Sequence, residues 1–376
     1  MKFWKSTCRP WILCPATTRT EDLMMLIGID PHKSSHTATV IEPSTNSDLG
    51  SIRIDASNNG YRQLLAWARQ WPKRRWAVEN AEGLGHHLAL WLVAMGEAVV
   101  DVAPAATARV RQLSRGGRRK NDRIDAAAAA CVAALHGDAR PVRAETHTDS
   151  LALLDERRKN LSEKRTRSVN QLHALLRELL PGGAPTSLTA TAAAAILRNL
   201  RPVTPTDQVR KSLAKDLVSD IKRNDTQLAE NSAAMDELLD RHGTSLRTIA
   251  GIGPVMAARI IGRTGPATRF PTAAAYANYT GVAPVEIASA DSVRHRLSRY
   301  GDRELNSALH TIAMVQIRMR GSRGRVYYEK KIAEGKSPKE ARRCLKRRLA
   351  DLCWRTMIRD ERRTATTLPI DHPDTA

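Results

Sequence analysis

The first regular pattern of apolar residues begins near Met25. Leu26-Ile27-Gly28-Ile29 is a short apolar run closed by Asp30 and Pro31, and Thr37 to Ile41 is a second, β-rich run. Ser51 to Ile54 reads as a third strand. Asn58 to Gln70 then places Leu64, Leu65, Trp67 and Ala68 at helical spacing. Trp76-Ala77-Val78 is a buried-strand run that delivers Glu79. Leu84 to Met95 is an apolar helix stopped by Gly96, and Ala98 to Val102 is another strand, ended by Pro104. An alanine-rich helix from Asn121 to Leu135 completes the series. Three early strands followed by alternating helix and strand predict an α/β domain with mixed strand pairing over residues 24–145.

The period then changes. Leu151, Leu153, Leu154, Leu161, Val169, Leu172, Leu175, Leu176 and Leu179 describe one long amphipathic helix, cut at Pro181-Gly182-Gly183. A second helix runs from about Asp207 to Leu239, with Leu213, Leu217, Ile221, Leu228 and Leu238 as its apolar positions. Two long helices around a Pro/Gly-rich middle predict an antiparallel arm or a self-associating coiled coil over residues 146–243; a plain helical linker fits the same pattern. A mostly helical unit follows over 244–325, and a basic helical tail over 326–376. Residues 1–23 carry lysines and a short Trp11-Ile12-Leu13-Cys14 patch but no signal-type apolar core, and are expected to be a disordered extension ahead of a start at Met24 or Met25.

Composition narrows the partners. Of 376 residues, 42% are hydrophobic and 26% charged, which suits two or three globular domains rather than a disordered chain. Lys and Arg number 60 against 39 Asp and Glu, a net charge of +21. That excess favours nucleic acid over a merely solvated basic surface, because neutralised phosphates release counterions. Aromatics at 4% argue for phosphate contacts over base stacking. Five scattered cysteines without a CxxC pair indicate neither a disulfide framework nor a zinc site and suit a reducing, cytoplasmic setting near the nucleoid. No apolar run reaches membrane-spanning length, so no membrane partner is expected.

Within this basic chain, Asp30 and Glu79 both end strands, while Asp122 and Asp125 stand three apart on one helix face. Four acids brought together would repel one another and raise their pKa values unless cations intervened. Such a set can hold two divalent cations about 3.5–4 Å apart. All-oxygen ligation suits Mg²⁺ or Mn²⁺ better than zinc. Singly, each acid has a plainer explanation: a turn cap before Pro31, a solvated carboxylate at Glu79, a helix-dipole acid at Asp122. The flanks favour the metal. Arg109, Arg111, Arg115, Arg118, Arg119, Lys120 and Arg123, broken by Gly116 and Gly117, read as a flexible basic strap leading into Asp122 and suited to hold a phosphate backbone.

Two features of the second half suggest phosphate contacts. Gly251-Ile252-Gly253-Pro254 resembles the turn of a helix-hairpin-helix, whose backbone N–H groups dock phosphate without sequence preference; an ordinary tight turn is the alternative. Ser289 falls in a loop before Arg294-His295-Arg296 and Arg299, where cations would hold a phosphate open to attack by a nearby alkoxide. No Ser-His-Asp spacing is present, and by residues alone Ser289 is one loop serine among several.

Ile27-Gly28-Ile29-Asp30-Pro31-His32-Lys33, Ala77-Val78-Glu79-Asn80 and Lys120-Asn121-Asp122-Arg123-Ile124-Asp125-Ala126 resemble the DEDD transposases of the insertion-sequence one-ten family. The resemblance spans nearly the whole chain after Met24. It implies a RuvC-like, ribonuclease-H-like N-terminal domain in which Asp30, Glu79, Asp122 and Asp125 bind metal. It also implies a C-terminal transposase domain whose serine attacks DNA covalently. Ser289 matches that serine by its distance from Pro284 and from Arg294-His295-Arg296; the next residue is Ala290 where the family usually has glycine, and Ser292 is the nearest rival. Further implied are a homo-oligomer (dimer or tetramer) that joins the tetrad of one protomer to the serine of another, and a noncoding bridge RNA pairing with donor and target DNA. The expected activity is DNA recombination. The rivals are a Mg²⁺-dependent Holliday-junction nuclease without a covalent step and a non-catalytic nucleic-acid-binding protein.

Overall fold

A computed structural model describes residues 24–113, 121–135, 139–289, 292–297 and 301–367. The chain divides into two compact units, one through Ala144 and one from Glu145.

The first unit is built on one sheet. Strands β1 (Met25–Pro31), β2 (Ser35–Glu42) and β3 (Ser47–Asp55) form an antiparallel meander. Helix α1 (Asn58–Ala68) leads to β4 (Arg74–Glu79), and α2 (His86–Ala94) to β5 (Val99–Val102). After α3 (Pro104–Leu113) and α4 (Asp122–Leu135), the short β6 (Arg140–Pro141) closes the edge. The order is β3-β2-β1-β4-β5-β6, with β1, β4 and β5 parallel to one another. This 3-2-1-4-5 arrangement with an antiparallel second strand is ribonuclease-H-like, as the sequence leads one to expect.

The central strands are buried on both faces, as parallel strands flanked by helices must be. Ile27, Ile29, Trp76 and Val78 pack on α1 and α2 through Tyr61, Leu64, Leu88 and Leu92. The alternate residues Leu26, Ala77, Val100 and Val102 face the other way, onto α4 side chains including Ala129, Ala130 and Val132. Gly28 shares that second face. A Cβ there would lie 1.8 Å from the Ala126 carbonyl oxygen and 2.7 Å from the Ala130 nitrogen. Only glycine lets α4 lie directly on the sheet at this level.

One expectation is corrected. The first half of the basic strap is helix α3, opened by Pro104 at a position where a missing N–H costs nothing. Arg115, Arg118, Arg119 and Lys120 lie outside the described residues, as does the 1–23 extension.

The second unit is helical apart from one hairpin. Helices α5 (His147–Leu179) and α7 (Pro205–His242) form an antiparallel pair with the short α6 (Ala190–Asn199) between them. Their direction is fixed by pairings whose numbers run oppositely: Asn231 Nδ2 donates to the Leu154 carbonyl at 3.1 Å, Arg158 to the Leu228 carbonyl at 3.0 Å, and Arg210 pairs with Glu178 at 2.6 Å. Both long helices begin with a capping box, at Thr146/Asp149 and Thr204/Asp207. Leu153 and Leu213, expected in the apolar stripes, are 71% and 49% exposed, because at about 100° per residue they fall off the faces set by buried Leu151 and Ala214.

Beyond them come α8 (Pro254–Thr264), α9 (Ala273–Tyr279), the hairpin β7 (Pro284–Ser289) and β8 (Ser292–Leu297), α10 (Arg303–Arg318), α11 (Arg323–Ala333) and α12 (Pro338–Thr367). Their core joins Leu246, Ile260, Tyr276, Leu309, Ile312, Leu345, Leu349 and Cys353 to Leu151 and Leu239 at the base of the long pair. The segments 146–243, 244–325 and 326–376 thus all contribute to one unit.

Candidate active site

The sheet register sets the acids side by side. β1 and β4 are parallel with Ile29 opposite Val78, so Asp30 and Glu79 occupy the next level, at the carboxyl ends of adjacent strands. Both belong to the face that carries Gly28 and Ala77 and is covered by α4. Along the same level Asp30 stands opposite Thr37 of β2, which stands opposite Arg53 of β3. One row across four strands therefore reads Arg53, Thr37, Asp30, Glu79.

Helix α4 brings the second pair of acids. Asn121 accepts at Oδ1 from the Ile124 N–H at 2.8 Å, which fixes the helix start, and Asp122 and Asp125 follow in its first turn. The close seat of α4 on Gly28 places that turn over the strand ends. A further tie is Thr39 Oγ1, which donates to the Arg123 carbonyl at 3.1 Å.

His32 Nε2 lies 3.3 Å from Asp30 Oδ2 and 3.3 Å from Asp122 Oδ1. Arg53 pairs with Asp122 at 3.2 Å, and Arg111 of α3 pairs with Asp125. The hydrogen bond and charge of Asp125, then the charges of Glu79 and Asp30, push the Arg111 guanidinium further above its ordinary pKa. His32 and Arg111 between them thus touch or sense all four acids, and the guanidiniums of Arg53 and Arg111 offset part of their repulsion.

One donor atom each from Asp30, His32 and Asp122 lies within 4.8 Å of the other two, a spacing that a single cation can bridge. Asp30 and Asp125 are buried, and Thr37 Oγ1 on the same row is buried without a hydrogen-bond partner among the described residues. Carboxylates from a strand and a helix, one imidazole and an unsatisfied hydroxyl suit a divalent cation with some retained water.

Sequence reasoning missed His32 and Arg53. His32 stood in the quoted Asp-Pro-His run; Arg53 meets Asp122 only through the sheet register and has no local signal. Two strap residues have inward tasks: Arg111 holds Asp125, and Arg123 clasps Asp48 at 2.7 and 2.9 Å. Arg109 is exposed on α3.

Ser289 is the last residue of β7 rather than a loop serine, and pairs across the hairpin with Ser292. Arg294 and Arg296 lie on β8, opposite Ile287 and Val285; Arg299 is outside the described residues. The base of this hairpin is anchored by Asn306 of α10, whose Nδ2 donates to the Thr280 carbonyl at 3.2 Å and to the Gly281 carbonyl at 2.8 Å, while its Oδ1 accepts from Lys346. Gly251 has φ of +83°, and Gly253 is the N-cap of α8, which starts with Pro254. The turn between them is held from behind by Gln316, which donates to the Ala250 carbonyl at 2.6 Å.

A sheet of this order, with acids at two adjacent strand ends and two more on the covering helix, defines a ribonuclease-H-like domain with a carboxylate cluster. The DEDD transposase family model matches residues 27–181, and the model of the IS116/IS110/IS902 transposase family matches residues 243–329. The chain belongs to the IS110 family of insertion-element transposases. It is 27% identical to an uncharacterized 44.8 kDa protein of insertion element IS116 from Streptomyces clavuligerus, over 92% of this chain and 97% of that one. It is also 27% identical to an uncharacterized 42 kDa protein of insertion element IS900 from Mycobacterium paratuberculosis, over 89% of this chain and 95% of that one. Among solved structures, Thermus thermophilus RuvC in complex with a Holliday junction substrate aligns at 16% identity and a TM-score of 0.25, covering 32% of this chain and 99% of that one. Among the described residues, no helix is long and apolar enough to cross a membrane.

Proposed function

We propose that this protein is an insertion-element recombinase that cuts and rejoins DNA, using Asp30, Glu79, Asp122 and Asp125 as metal ligands and Ser289 as nucleophile. The observation that carries the reading is the common level of Asp30 and Glu79 on one sheet face, beneath the first turn of α4. In this reading residues 24–145 hold the acids, 146–243 form the arm, 244–325 carry the serine and 326–376 are a basic tail.

Mg²⁺ or Mn²⁺ fits the donor set; bound there, it would polarise a phosphoryl oxygen and stabilise the leaving oxygen. The residues of the chain have separate tasks. Asp30 and Glu79 are fixed by sheet hydrogen bonds, and Asp122 and Asp125 by the helix, so the oxygens are pre-positioned rather than gathered by the substrate. Arg53 and Arg111 offset part of the repulsion among the acids. The Ser289 hydroxyl attacks phosphorus, forming a serine–phosphate bond as one phosphorus–oxygen bond to the sugar breaks. The hydroxyl proton leaves to a base or water, and the departing sugar oxygen takes one up. Attack by another strand's hydroxyl reverses these events and frees the serine. Arg294, Arg296 and Arg299 hold that phosphate. Arg109, Arg115, Arg118, Arg119 and Lys120 contact backbones, as do the N–H groups near Gly251 and Gly253. Donor and target DNA, a noncoding bridge RNA and further copies of the chain are the proposed partners; the net charge of +21 supports the nucleic acids.

The test is recombination of a donor–target DNA pair by purified protein with the element's RNA, in Mg²⁺ and in excess chelator. Product and a covalent protein–DNA adduct are expected only with Mg²⁺, and the adduct is lost in Ser289→Ala. Normal cutting by Ser289→Ala with no adduct would reduce the protein to a metal-dependent nuclease.

A further inference from the structure

On the opposite face of the same sheet end is a cavity of about 460 Å³ with a chemistry of its own. It lies between the His32-Lys33 turn, the start of α1 and the start of α2, and its lining includes Lys33, His36, Ser57, Tyr61 and His87. No acid lines it, and neither helix has an acidic residue in its first turn. The positive ends of two helix dipoles therefore open toward a pocket carrying a lysine and imidazoles. Such surroundings favour an anion.

His36 adds an independent observation. It is 3% exposed, its Nε2 lies 3.3 Å from the Tyr61 hydroxyl, and its Nδ1 is buried without a partner among the described residues. Tyr61 engages Nε2, which leaves Nδ1 as a buried ring nitrogen with no partner among the described residues. A hydrogen-bonding group of a ligand entering the cavity would satisfy this nitrogen. The cavity is also continuous with the acid cluster, because His32 lines it and touches both Asp30 and Asp122.

We infer that this cavity binds a backbone phosphate of the nucleic-acid strand, next to the phosphate held at the carboxylates, through Lys33, His36 and His87. The inference rests on the proposed function for the word "next" and says where the flanking strand runs. Its test is a binding scan with full-length protein in chelator, so that cleavage plays no part. A single-stranded DNA oligonucleotide is used in which one phosphate at a time is replaced by a neutral methylphosphonate. For the wild-type chain, neutralising one flanking position is expected to weaken binding about tenfold, the loss of one charge-assisted contact.

In Lys33→Ala/His87→Ala, both exposed and therefore compatible with folding, that position is expected to lose its effect while all others keep theirs. His36→Phe should give the same result without changing net charge. An unchanged scan in these variants overturns the inference. So does competition by inorganic phosphate or a mononucleotide with no change in the scan, which would make the cavity a free-ligand site. The reading of the carboxylates stands or falls separately, on Mg²⁺-dependent product formation.

Discussion

The two regions proposed to share one reaction are built on opposite plans. In the first unit, acids are held by rigid elements and partly offset by Arg53 and Arg111. In the second, the serine ends a two-stranded hairpin that reaches the core through its base, where Asn306 grips the Thr280 and Gly281 carbonyls. Lys346 behind Asn306 is buried, has no carboxylate in salt-bridge reach among the described residues, and is pushed down to about 8 by burial and by Arg342 and Arg343. The acid site thus has guanidiniums set beside its carboxylates, whereas a buried lysine with no carboxylate beside it stands behind the hairpin of the serine unit. A site for metal needs fixed geometry; a strand-carrying nucleophile needs reach.

The comparison is broken most severely at the acids. Asp122→Asn should lower strand exchange at least about 100-fold while nucleic-acid binding survives, measured by product gels and by fluorescence anisotropy. Full activity in that variant would remove the acid site from the scheme. Next is Gly28→Ala: the added methyl meets α4 backbone at 1.8 Å, so the helix must shift. We expect about 1–3 kcal/mol lost in denaturant unfolding of the first unit, and lower activity even where the protein stays folded.

Asn306→Ala tests the other plan. It removes two hydrogen bonds to buried carbonyls and leaves Lys346 without its acceptor, for about 1–3 kcal/mol. The expected result is fewer covalent protein–DNA adducts, with Mn²⁺ binding at the acids, followed by its electron paramagnetic resonance, unchanged. The smallest effect is on acid stability. His147 and His242 stack with centroids 3.3 Å apart, and burial, then His242, pushes His147 down to about 4. Between about pH 6.5 and 4 the unfolded chain gains a proton at His147 that the folded chain refuses, so stability falls across that window and is unaffected above it. His147→Gln should flatten this part of the Tm-versus-pH curve.

Much of the first unit was legible because its strands are short apolar runs with acids at their ends. The spacing of Asp122 and Asp125 likewise declared one helix face. What local pattern does not carry is register. The pairing of Arg53 with Asp122 depends on β3 lying two strands from β1, and the cavity around His36 depends on two helix starts converging there. Helix α3 is hidden in the sequence because Pro104, which ends a strand pattern, also begins a helix. The strand position of Ser289 is hidden likewise, because Pro284 breaks the pattern of a short hairpin.

The Asp30–Glu79 alignment makes the active face fragile to a kind of error that leaves hydrophobicity untouched. Deleting one residue inside Met25–Pro31 would keep an apolar strand that can still find its neighbours, yet turn the aspartate toward the α1 and α2 side. A genomic copy damaged in this way would lose the alignment of Asp30 with Glu79, and with it the proposed metal site.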